Sequence, residues 1–178
     1  MIRDLRLFSY QRDFKDLIKD TIWWVIQNFG FKSFLFPSRV RPMLLRMMGA
    51  KIAKGVIIRQ GVRIHMPRNL SIGSNSWIGE DAWIINHEKI LIGSNVCISQ
   101  AAIICSSGHD MSSPSLQYKH KPIQVEDGVW VCLGAKILAG SNLGVNSVVS
   151  GAEVFQGILP ANHIYRHGVI TTIKTKIK

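Results

Sequence analysis

A chain of 178 residues with 47% hydrophobic and 19% charged side chains has enough apolar surface for one well-buried core. That composition excludes intrinsic disorder, and the length excludes two domains of ordinary size. The net charge of +11 is uneven: residues 1–50 carry 9 basic and 4 acidic side chains, residues 51–162 carry 9 and 7, and residues 163–178 carry 4 and none. Such basic ends suit a phosphorylated ligand or an anionic membrane face, and no motif beyond charge points to nucleic acid.

At the N-terminus, Arg3, Asp4, Arg6, Arg12, Asp13, Lys15 and Asp16 leave no apolar core for a signal peptide. The apolar stretch from Leu17 to Phe36 is broken by Lys19, Asp20 and Lys32, short of an uninterrupted bilayer span. A cytoplasmic protein is expected. Within residues 12–29, Phe14, Leu17, Ile18, Ile22, Val25, Ile26 and Phe29 fall at helical spacing, and Gly30 follows as a stop. Trp23, Trp24, Phe31, Phe34, Leu35 and Phe36 are interleaved downstream with Arg39, Arg41 and Arg46. Two readings of residues 1–50 stay open: a helical cap on whatever follows, or a segment lying on an anionic membrane surface, peripheral to its inner face.

From Ile52 the chain counts in sixes. Ile52, Ile58 and Ile64 are six apart, then Ile72, Ile78 and Ile84, then Ile92, Ile98 and Ile104, each triplet starting 20 residues after the last. The beat resumes at Val125, Val131, Ile137, Leu143 and Val149. Neither a 3.6-residue helix nor a strand alternating in twos has this period. A prism of short strands does, with a turn at each third of a coil and each inward aliphatic covered by the next coil. Cys97, Cys105 and Cys132 form no CxxC pair, so neither a disulfide framework nor a zinc knuckle is expected.

Five segments narrow the reading: Leu45-Arg46-Met47-Met48-Gly49-Ala50-Lys51-Ile52, Ser76-Trp77-Ile78-Gly79-Glu80, Asn95-Val96-Cys97-Ile98-Ser99-Gln100, Gly108-His109-Asp110 and Lys121-Pro122-Ile123. With the hexapeptides, residues 35–160 resemble the hexapeptide-repeat acyltransferases, most closely the branch of colanic acid and exopolysaccharide biosynthesis acetyltransferases. The resemblance implies an all-β, left-handed parallel β-helix solenoid over residues 51–162, a homotrimer with sites between subunits, and acetyl-CoA as donor. Residues 163–178 are read as a basic tail.

Between Ile104 and Val125 the spacing is 21 instead of six, and Ser106, Ser107, Gly108, Asp110, Ser112, Ser113 and Pro114 mark an extruded loop, residues 106–122. His109 opens it, where a neutral imidazole can take a proton from a sugar hydroxyl, and the family's catalytic histidine occupies a matching Gly-His segment. Asp110 either orients His109 or caps the loop turn, and a backbone carbonyl is the other candidate to orient the ring. Asn86 and His87 lie one coil below, as acceptor-binding candidates or as a surface-turn pair. Tyr118 and His120, beside Lys119, either close over a neighbouring subunit's site or pack the loop.

On the donor side the resemblance assigns Trp130, Cys132, Leu133 and Gly134 to the pantetheine arm, with Cys132 where the family carries Gly. Gly151 and Ala152 belong to the next coil's small-residue turn, with Ser150 replacing a Gly. Arg166 and Lys174, with Lys176 and Lys178, are cations for the coenzyme's phosphates or a solvated tail. The leading expectation is an O-acetyltransferase acting on a sugar of a surface-polysaccharide precursor by direct transfer. The alternatives are an N-acetyltransferase acting on an amino-sugar nucleotide and a non-catalytic scaffold. No metal is expected, because His87, His109 and His120 are each eleven or more residues from the next.

Overall fold

The computed structural model describes residues 5–9 and 13–173, and these form a parallel β-helix behind a helical N-terminal segment. Strands β1 (Lys51–Ile52), β2 (Ile57–Ile58) and β3 (Arg63–Ile64) make the first coil, one on each side of the prism. Later coils stack on it in parallel, giving sheets of six, seven and five strands among the described residues.

The beat of six becomes three inward columns. Ile52, Ile72, Ile92, Val125, Leu143 and Leu159 align in the first. Ile58, Ile78, Ile98, Val131 and Val149 align in the second, and Ile64, Ile84, Ile104, Ile137 and Phe155 in the third; all of these side chains are buried. Each buried aliphatic contributes about 1.5–3 kcal/mol by leaving water. The corners are set by residues that tolerate a positive φ: Asn75, Asn95, Asn146 and Asn162, at 56° to 59°, stack at the turn between the first and second sheets.

A solenoid exposes the backbone of its first coil, and the N-terminal segment covers it. From α1 (Phe14–Ile26), the Trp23 indole donates to the Ile64 carbonyl at 2.7 Å. Gln27 Oε1 accepts the Ile64 amide at 2.6 Å. Arg41, at the start of α2 (Arg41–Met47), is buried and donates to the carbonyls of Phe31, Ser33 and Ile58. Burial, then Arg59, holds its pKa below the usual guanidinium range. Arg46 donates to the carbonyls of Ile52 and Ala53. The capping contacts therefore come from polar groups and from Trp23 and Phe31, while Phe14, Ile18, Ile22 and Phe29 face outward. Among the described residues no helix is long and apolar enough to cross a membrane.

Two local expectations are corrected. Gly30 does not stop the helix: a π-helical turn, Gln27–Phe31, runs through it. The wider turn carries Phe31 into the core against Trp23, ring centroids 5.1 Å apart, and lets the Lys32 carbonyl accept the Gly61 amide. Residues 163–172 are not a tail. They form two strands, His163–Arg166 and Val169–Thr172, an antiparallel pair that ends the second sheet, with Tyr165 packed on Phe155 at 4.9 Å.

Candidate active site

The extruded loop leaves the prism at the corner between the third and first sheets. Its stem is a short antiparallel ladder: Asp110 donates its amide to the Gln117 carbonyl and Lys119 to the Gly108 carbonyl, both at 2.8 Å, with His109 opposite Tyr118. A Cβ at Gly108 would sit 2.8 Å from the Lys119 carbonyl oxygen, so the stem closes only on glycine.

This ladder orients His109. Its Nδ1 lies 2.6 Å from the Leu116 carbonyl oxygen, which can only accept, so Nδ1 carries the proton and Nε2 the lone pair. The imidazole is exposed. The carbonyl, and not Asp110, is thus the orienting partner. Asp110 Oδ1 accepts from the Ser112 amide at 2.9 Å and its hydroxyl at 2.6 Å, which caps the loop turn, while Oδ2 lies 3.7 Å from Lys119 Nζ. The Ser112 hydrogen bonds, chiefly, hold its carboxylate below the usual range.

Around His109 the corner is a wall of rings. Tyr118 lies 4.9 Å from His109 and 4.8 Å from His120; His87 stacks on His120 at 5.0 Å; His65 stands edge-on to His87 at 4.3 Å. His87 Nδ1 also meets the Ser107 hydroxyl. Phe8, from the N-terminus, packs on Tyr118 at 5.0 Å. His120 is partly buried, with Nδ1 lacking a partner, and burial above all pushes its pKa down, with Glu88 opposing and His109 adding to the shift.

Asn86 does not join this wall. Fully buried, its Oδ1 accepts the Met66 amide and its Nδ2 donates to the Met66 carbonyl, so both polar atoms are used inside the coil. Sequence reasoning missed His65 and Phe8. His65 was legible by period, since it lies 20 residues before Ile85 on the same corner; nothing in the repeat pointed to Phe8.

The residues that the family resemblance assigns to the donor lie on a different edge, between the second and third sheets. Trp130 is half-exposed and donates to the Ser99 hydroxyl at 2.9 Å. Cys132 is in register with Ser99 and Ser150; burial, then Cys97, raises its pKa, which keeps it a thiol. Leu133 is exposed, and its carbonyl accepts the Ala152 amide at 2.8 Å, so Gly134, Gly151 and Ala152 line successive coils, with Arg166 on the coil above. Lys174 lies outside the described residues, as do Lys176 and Lys178. Within one chain the width of the third sheet separates this edge from the histidine corner. Among the described residues no group of three or more His, Cys, Asp or Glu side chains is disposed to hold a metal ion.

No family model matches the chain. It is 31% identical over 180 residues, 99% of each chain, to WcaF of Escherichia coli strain K12, assigned by name as a colanic acid biosynthesis acetyltransferase. Its fold superposes on a hexapeptide-repeat acetyltransferase of Vibrio cholerae solved with acetyl-CoA (TM-score 0.83, 16% identity, 94% of this chain and 92% of that one). It also superposes on a maltose O-acetyltransferase of Clostridium difficile 630 (TM-score 0.79, 21% identity, 96% and 92%). With its full-length likeness to a colanic acid biosynthesis acetyltransferase and its left-handed β-helix of six-residue repeats, the chain belongs to the hexapeptide-repeat acetyltransferases.

Proposed function

We propose that this chain moves an acetyl group from acetyl-CoA to a sugar hydroxyl of a surface-polysaccharide precursor, with His109 as general base. The observation that carries the reading is the hydrogen bond from His109 Nδ1 to the Leu116 carbonyl, which leaves Nε2 as an exposed acceptor. In the reaction Nε2 takes the proton as the sugar oxygen bonds to the thioester carbonyl carbon. The tetrahedral intermediate then collapses, the C–S bond breaks, and the imidazolium returns the proton to the departing thiolate. The products are an acetyl ester and coenzyme A. No covalent enzyme intermediate is needed, and the raised pKa of Cys132 argues against a thiolate nucleophile on the donor edge.

A homotrimer belongs to the same reading. The donor edge and the histidine corner lie on different edges of one prism, so a neighbouring subunit that sets its donor edge against this corner brings the two together. Light scattering of the active enzyme tests this. The apolar residues left outward on α1, beside Lys15 and Lys19, support peripheral contact with an anionic membrane face, which vesicle sedimentation tests.

The function is tested by incubating purified protein with acetyl-CoA and a panel of oligosaccharides, following thiol release and product mass. An acetyl group lost in mild alkali is an O-acetyl ester. A group that survives is an amide and would move the reading to N-acetylation.

A further inference from the structure

We propose that the groove between α1 and the third sheet binds the diphosphate of a glycosyl diphosphate acceptor, an inference that rests on the sugar-acetylating function above. The groove has a volume of about 550 Å³, and its wall includes Trp24, Asn28 and Lys32 from the helical segment and Arg63, His65 and Trp83 from the first two coils.

Its chemistry is cationic and aromatic. The Arg63 guanidinium lies 4.1 Å from the centroid of the Trp83 indole and forms no ion pair with a carboxylate among the described residues. The indole face holds the guanidinium by cation–π contact, and a guanidinium carries N–H donors in a fork that matches the oxygens of a phosphate. Lys32 Nζ is held by Asn28 Oδ1 at 2.8 Å and keeps its charge uncompensated by any acid at that contact. The one acid on the wall, Asp20, is bound by Arg68. Two cations on one wall, Arg63 over the Trp83 indole and Lys32 beside the Asn28 amide, fit a sugar carrying a diphosphate better than a neutral glycan.

The groove also leads to the reacting centre. His65 forms part of its wall and stands 4.3 Å from His87; Tyr118 is 6.1 Å beyond, and His109 a further 4.9 Å from Tyr118. His65 lies on the first coil and the loop leaves the third, so groove and base are two coil rises apart, about 10 Å at the usual strand spacing. One sugar ring does not span that distance. The acceptor therefore carries more than one sugar between its diphosphate and the hydroxyl that reacts.

A nucleotide and a polyprenyl lipid both carry sugars as diphosphates, so both are tested. With coenzyme A saturating, so that its own phosphate contacts are filled, inorganic pyrophosphate is titrated into wild type, Arg63→Gln and Arg63→Lys by calorimetry. Transfer is then measured to one oligosaccharide presented bare, as the uridine diphosphate conjugate and as the polyprenyl diphosphate conjugate. Arg63→Gln is expected to weaken pyrophosphate and to raise KM for the better diphosphate conjugate about tenfold, with kcat, the acetyl-CoA KM and the bare oligosaccharide's KM unchanged. Arg63→Lys should recover most of the loss. The conjugate with the lower KM names the carrier.

If no sugar is acetylated but pyrophosphate binding still depends on Arg63, the groove stands and the sugar-acetylating reading falls. Pyrophosphate binding that ignores Arg63, or equal KM for bare and both diphosphate acceptors, overturns the site.

Discussion

The imidazoles of His87 and His120 lie 5.0 Å apart and within 10° of parallel. Two imidazolium cations at that separation would repel, and burial already biases His120 toward its neutral form. At least one ring of the corner behind His109 is therefore biased toward its neutral form. Under the proposed function, a hydroxyl brought to this corner meets the His109 Nε2 acceptor and the faces of neighbouring rings.

The first prediction concerns acid. Because the folded-state pKa of His120 is lowered, the unfolded chain binds the extra proton first as pH falls. The stability that His120 contributes is fully present above the ordinary histidine value and is lost as pH drops from there toward the folded value. Thermal unfolding should show Tm falling through that window in wild type and falling less in His120→Gln. A Tm that rises on acidification through the same window would contradict the assignment.

A second prediction separates framework from pocket at Asn86. Asn86→Ala strands the Met66 amide and carbonyl inside the coil, at a cost of about 2–3 kcal/mol. Denaturant unfolding should show this loss, while acceptor KM measured well below Tm stays within about twofold of wild type. A raised KM without loss of stability would return Asn86 to the acceptor pocket.

At the covered end of the solenoid, Arg41→Ala should be among the most damaging single changes outside the site. It removes donors to three carbonyls and uncovers part of the first coil's edge. Destabilisation of about 3 kcal/mol, with concentration-dependent aggregation, is expected by unfolding and light scattering. Arg39→Ala, at an exposed position, serves as the control.

Asp110→Asn tests the division of labour in the loop. The carboxylate is tied to Ser112 and faces Lys119, and the Leu116 carbonyl holds the His109 ring. Turnover should fall only a few-fold, far less than for a change at His109. A loss as large as that at His109 would make the carboxylate part of the proton-transfer machinery.

The repeat was legible because burial in a narrow prism leaves one inward residue per strand, so Ile52 through Val149 had to recur at the spacing of the sides. His109 was legible for a related reason: a loop breaking a strict count is conspicuous, and a histidine in its stem more so. What escaped depended on contacts between distant segments. Phe8 reaches Tyr118 only because the chain start returns to a loop over a hundred residues later, and the buried pairing of Asn86 with Met66 looks in sequence like any polar corner. Gly30 misled because the packing of Phe31 on Trp23 outweighed a local stop signal. The basic count of residues 163–178 hid the inward place of Tyr165, the next step of the second column.

The most direct test of the central claim is single-turnover acetyl transfer by His109→Ala, with acetyl-CoA and acceptor both saturating and donor affinity measured separately by calorimetry. The account predicts a transfer rate lower by about a hundred- to ten-thousandfold with donor affinity unchanged. Transfer at the wild-type rate in that variant would contradict it.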